Sequence, residues 1–83
     1  MNRRTLGSTG IEVSEIGLGA WQLGDTDQWA GPDRETSHAI IEEALNLGVN
    51  LFDTAPGYAS GRSELILGEA LDGRRDQVVL VTK

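Results

Sequence analysis

Eighty-three residues allow one small domain with a modest core, because a chain this short buries a smaller fraction of its surface than a longer one. Thirteen Asp and Glu against seven Lys and Arg leave a net charge of -6, which repels phosphate backbones and anionic lipid and argues against nucleic-acid and membrane-surface roles. There is no cysteine for a disulfide or a thiolate metal site, and no run approaches the roughly 18 apolar residues of a membrane span, so a soluble chain in a reducing cytoplasm is expected.

The opening MNRRTLGSTG carries positive charge without an apolar stretch behind it, unlike a secretory leader. In RRTLGSTGIEVSEIGLG the alternation around Ile11, Glu12 and Val13 suits a half-buried strand, and STG supplies turn chemistry, so a hairpin followed by a strand near 15–19 is expected. Residues 20–33, AWQLGDTDQWAGPD, hold no steady period and read as a long loop bearing both tryptophans. From Arg34 to Leu47 the spacing predicts a helix with Ala39, Ile40, Ala44, Leu45 and Leu47 on its apolar stripe, Asp33 as N-cap and Gly48 as the stop. VNLF then forms a short strand ending at Asp53, TAPGYASGR its exit loop, and a second helix covers about 63–71 with Leu65, Ile66, Ala70 and Leu71 inward. DGRRD breaks the chain, its GRRD at 73–76 reading as a solvated loop rather than a phosphate clamp, and QVVLVTK is a strand of the buried type.

Strands alternating with helices at this spacing predict a parallel sheet, with 49–53 and 78–82 side by side. Asp53 and Lys83, the chain's only lysine, would then stand at the same C-terminal edge, where α/β folds build sites, within reach of Tyr58, the only tyrosine. An ammonium beside a phenol favours phenolate and draws a pKa of roughly 10 toward a range useful for proton transfer. An aspartate would hold that lysine charged and in place. Taken singly, each residue also has an ordinary reading: a turn carboxylate, a core tyrosine with a satisfied hydroxyl, a solvated lysine. GLGAWQLG falls short of a dinucleotide fingerprint because Gln22 stands where glycine is required, there is no P-loop, and one histidine with no cysteine gives no metal-ligand spacing.

The segments IGLGAWQLG, ALNLGVNLFDTA, FDTAPGYASGRSELILGEAL and VVLVTK, in that order, resemble the N-terminal part of an aldo-keto reductase, and the resemblance covers essentially the whole chain. It implies an α/β fold: a hairpin closing the base of a (β/α)8 TIM barrel, followed by the first three of its eight strands, with residues 1–83 as an incomplete portion of a single barrel domain. It implies reduction of small aldehydes and ketones by NADPH. It also implies Tyr58 as the general acid, Lys83 as the residue lowering its pKa, and Asp53 as the partner of that lysine near the nicotinamide ribose. Ala20 and Trp21 match positions lining the nicotinamide side of the pocket, and Trp21 with Trp29 would shape an apolar carbonyl site.

Two departures stand out. The family usually places glycine after the tyrosine, whereas this chain has Ala59. The family's carbonyl-orienting histidine lies at the end of the next barrel strand, and its grip on the cofactor's adenosine phosphate lies in the C-terminal half; neither has a counterpart among these residues. His38 reads as a surface or interhelical residue. The chain alone is therefore expected to have little or no activity. The rival reading is a non-catalytic reductase piece that binds itself or a partner through the edge of its VVLVT strand.

Overall fold

In the computed structural model, which describes residues 1–24 and 30–83, a two-stranded antiparallel sheet accompanies a three-stranded parallel one. The hairpin pairs β1 (Arg3–Thr5) with β2 (Glu12–Ser14), placing Arg4 opposite Val13. Its loop closes through the Leu6 amide on the Ile11 carbonyl at 2.8 Å and the Thr9 hydroxyl on the Leu6 carbonyl at 2.6 Å. The parallel sheet is ordered β3 (Leu18–Gly19), β4 (Leu51–Asp53) and β5 (Val79–Val81), with Gly19 beside Asp53 and Asp53 beside Val81. The strand expected near 15–19 is therefore only its last two residues. The edge expected from VVLVT is the outer side of β5, which among the described residues pairs with β4 alone.

Between β3 and β4 runs α1 (Arg34–Asn46), and between β4 and β5 runs α2 (Arg62–Ala70). The Asp33 carboxylate accepts the Thr36 amide at 2.7 Å, and this backbone bond holds the carboxyl below its usual range, as an N-cap should. Gly48, with φ +95°, ends the helix in the left-handed conformation that glycine tolerates best. The buried stripe differs from the expected one. Ser37 and Ile41 are buried with Ala44 and Leu45 packed beside them, a spacing of four, seven and eight residues. Ile40 and Leu47 are exposed. In α2 the inward residues are Ser63, Ile66, Leu67 and Ala70, while Leu65 is 69% exposed, because 63, 66, 67 and 70 share one face and 65 lies off it.

Phe52 from β4, Ile41 from α1 and Leu67 from α2 are fully buried and form the centre of the core, together with Leu23, Val49, Leu71 and Val78. Among the described residues, hydrogen bonds centred on Asn50 and Ser14 fasten the hairpin to this unit. Buried Asn50 accepts the Ser14 amide on its Oδ1 at 2.6 Å and donates its Nδ2 to the Glu12 carbonyl at 3.0 Å, while its own amide donates to the Ser14 hydroxyl at 3.1 Å.

Charge joins the two helices. Arg34 donates to both carboxylate oxygens of Glu69 at 2.7–3.2 Å, and His38 Nε2 lies 3.5 Å from Glu69, in keeping with its interhelical reading. Arg74 pairs with Glu42 and donates to the Ala70 carbonyl, so this part of DGRRD caps α2 and is not a merely solvated loop. The Arg34 and Arg74 hydrogen bonds hold Glu69 and Glu42 below the usual carboxylate range. Groups depressed in the folded state contribute stability above their unfolded value, about 4.3 for Glu, and lose that contribution as pH falls through the lower folded value. The melting temperature should therefore drop as pH is lowered through this window, and Glu69→Gln should flatten the drop; superimposable melting curves for the two chains across the acid range would contradict the pairing.

Candidate active site at the strand ends

The C-terminal edge of the parallel sheet gathers the predicted residues because β4 and β5 run the same way in register. Asp53 is the last residue of β4, and Lys83 lies two residues beyond the end of β5. The Lys83 ammonium donates to Asp53 Oδ1 at 2.6 Å and to the Thr54 carbonyl at 3.1 Å, and it stands 5.1 Å from the centre of the Tyr58 ring. The hydrogen bond to Asp53 raises the lysine above its ordinary range; partial desolvation opposes this, and the Tyr58 hydroxyl adds to the rise. Both ends of the pair are about half exposed, at 53% for Lys83 and 50% for Asp53, so the ion pair faces an open rim.

Tyr58 reaches the rim through an unusual turn. Its amide donates to the Ala55 carbonyl at 3.1 Å, and the next two residues, Ala59 (φ 51°) and Ser60 (φ 55°), are both left-handed, followed by Gly61 at φ 92°. Side chains bearing a Cβ resist this conformation by about 1–2 kcal/mol per residue. Part of any gain from glycine is returned through the freer unfolded chain, about 0.4–1 kcal/mol. Ala59→Gly should therefore stabilise the chain by up to about 1 kcal/mol. A lower denaturant midpoint for the variant would show that Ala59 is not held in this conformation.

The loop after β3 is seated directly on that turn. Gly24 is buried at φ +111°, and a Cβ there would lie 2.9 Å from Arg62 Cβ and 3.2 Å from Ala59 Cβ, so only glycine permits the approach. Trp21, 55% exposed, is carried on the same loop. Ala20 is fully enclosed, its amide donating to the Asp53 carbonyl at 2.8 Å, so it sits behind the rim. Trp29 lies outside the described residues. Asp53, Tyr58 and Lys83 are thus brought together, with Ala20 bonded to the backbone of Asp53.

Two hydroxyls that no sequence motif marks stand behind the site. Thr54 and Ser63 are buried with their oxygens 2.8 Å apart, and Ser63 donates to the Ala20 carbonyl at 2.8 Å. The signal that could have found Thr54 is strand alternation. With Phe52 turned into the core, Asp53 faces the rim and Thr54 returns inward. Among the described residues no cluster of His, Cys, Asp or Glu could hold a metal ion, and no helix is long and apolar enough to cross a membrane.

What this arrangement is similar to is a family of carbonyl-reducing enzymes. The chain is 49% identical over 85 aligned residues to the aldo-keto reductase YhdN of Bacillus subtilis, covering all of this chain and 25% of that protein. It is 47% identical over 85 residues to the NADH-specific methylglyoxal reductase of Escherichia coli, covering all of this chain and 26% of the relative. Among solved structures it resembles an aldo-keto reductase from Klebsiella pneumoniae in complex with NADPH, with a TM-score of 0.79 at 34% identity, covering 99% of this chain and 28% of that one. The chain thus spans about a quarter of the length of the curated relatives it matches. A sequence model of the Aldo/keto reductase family matches residues 15–83, and the chain belongs to that family.

Proposed function

We propose that residues 1–83 form the first portion of a single aldo-keto reductase barrel domain and supply the proton-donating side of an NADPH-dependent carbonyl reductase site. The observation that carries this reading is the Lys83 ammonium, fixed at 2.6 Å from Asp53 beside the Tyr58 ring. Bound nicotinamide supplies a hydride to the carbonyl carbon. Tyr58 donates its hydroxyl proton to the carbonyl oxygen, so that an aldehyde or ketone leaves as the alcohol. The Lys83 ammonium stabilises the phenolate that remains, and Asp53 keeps that ammonium charged and oriented.

The residues present suit the nicotinamide end of such a cofactor. Asp53 offers a half-exposed carboxylate to a ribose hydroxyl, and Trp21 an exposed aromatic face. Ala20, fully enclosed, presents no surface to a ligand, contrary to its expected pocket-lining place, while Trp21 with Trp29 would bound the carbonyl substrate. The family resemblance and the NADPH-bound Klebsiella relative support NADPH, whereas the E. coli relative is named NADH-specific.

The test is a graft. Residues 1–83 replace the matched quarter of YhdN, and NADPH oxidation is followed with an aromatic aldehyde. Turnover is expected from the graft and none from the 83-residue chain alone, which carries neither the family's carbonyl-orienting histidine nor its adenosine-phosphate grip. A folded graft that binds NADPH yet reduces no aldehyde would overturn the reading.

A further inference from the structure

Behind the rim, a hydrogen-bond chain through the buried Ser63 and Thr54 runs from Ala20, just past β3, to Lys83. Ser63, fully enclosed at the start of α2, gives its only proton to the Ala20 carbonyl at 2.8 Å, so the Thr54 hydroxyl must donate to Ser63 Oγ across the other 2.8 Å contact. The Thr54 amide donates to the Val81 carbonyl at 2.8 Å, and its carbonyl accepts the Lys83 ammonium at 3.1 Å. Thr54 is thereby tied directly to α2, β5 and the lysine, and through Ser63 to Ala20 just past β3. Packing alone does not require these hydroxyls. A valine at 54 would fill nearly the same volume, and buried hydroxyls bring a desolvation cost that only their mutual bonding offsets.

We propose that Thr54 and Ser63 are positioning residues for Lys83: the hydroxyl pair fixes the Thr54 carbonyl as the second acceptor of the ammonium and so sets where the lysine stands between Asp53 and Tyr58. Its catalytic meaning rests on the reductase reading above, but the placement itself does not. Asp53 alone would leave the ammonium free to swing about one carboxylate oxygen on a flexible four-carbon stem; a second, rigid acceptor removes that freedom. The Ser63 link to the Ala20 carbonyl extends the same register to the strand end that carries Trp21.

Lys83 is the only lysine, so its reactivity can be read without ambiguity. The experiment is competitive labelling of the 83-residue chain with acetic anhydride at fixed pH, with the Met1 α-amine as internal reference. Thr54→Val keeps the shape and leaves Ser63 donating to Ala20, so it orphans no buried donor; Lys83 labelling should rise several-fold. Ser63→Ala, which strands the Thr54 hydroxyl and leaves the Ala20 carbonyl with the Leu23 amide at 3.2 Å as its partner, should raise it further, and Thr54→Ser should remain near the parent chain. Unchanged Lys83 labelling in Thr54→Val and Ser63→Ala chains that keep their far-ultraviolet circular dichroism would overturn the proposal. So would loss of that signal in both variants, which would make the pair a folding element and nothing more. Because labelling needs neither cofactor nor turnover, an inactive graft would sink the reductase reading while leaving this result standing.

Discussion

Tyr58→Phe in the grafted barrel should lower carbonyl reduction by about 100- to 10,000-fold, the range a positioned proton donor contributes. The substitution removes one oxygen and leaves the ring. The ring's contact with the Lys83 ammonium at 5.1 Å and its packing on the turn should therefore persist. Cofactor affinity should change little, because Asp53 and Trp21, the groups assigned to the nicotinamide end, are untouched. The loss should fall on kcat, which separates a missing proton from a damaged pocket. A Tyr58→Phe graft retaining most of the parent rate would mean that the proton comes from another group, and the assignment of Tyr58 would fail.

The second large effect is on stability and concerns Asn50→Ala. The parent side chain satisfies the buried Ser14 amide and the Glu12 carbonyl, two of the three described hydrogen bonds between Asn50 and the hairpin; the third, from the Asn50 backbone amide to the Ser14 hydroxyl, does not need the side chain. Alanine leaves the Ser14 amide without an acceptor in a place water does not reach, at a cost of about 1–3 kcal/mol. In a domain of this size each kcal/mol shifts the melting temperature by roughly 4–8 °C. The variant should therefore melt well below the parent, with the amides of β1 and β2 exchanging faster than those of β4. An unchanged melting temperature would show that the hairpin is held by other contacts.

What the sequence made legible was local or set by simple geometry. The Asp33 cap and the Gly48 stop follow from side-chain and backbone chemistry within one turn of the helix, and α1 begins where they require. The Asp53–Lys83 pair was legible because parallel neighbours in register place their C-terminal residues at one edge. The buried stripe of α1 differs from the expected one because adjacent isoleucines at 40 and 41 both fit a helical period, and only the position of the neighbouring sheet decides which turns inward. The left-handed turn after Tyr58 contradicts the propensity of Ala59 and Ser60, and no local rule predicts it. Asn50 and Ser63 find partners 36 and 43 residues away, so their roles emerge only once the strands are assembled. Trp29, a predicted pocket residue, lies outside the described residues.

Whether Asp53, Lys83 and Tyr58 act as one proton-donating unit is decided by a double substitution in the graft. If Lys83 serves the carbonyl only through Tyr58, then Lys83→Met and Tyr58→Phe should each lower kcat/KM severely, and the double variant should be little worse than Tyr58→Phe alone, since groups acting as a unit are strongly non-additive. If instead the two losses multiply in the double variant, Lys83 and Tyr58 contribute independently, and the shared site read from the 2.6 Å clamp on Asp53 would not be the source of the chemistry.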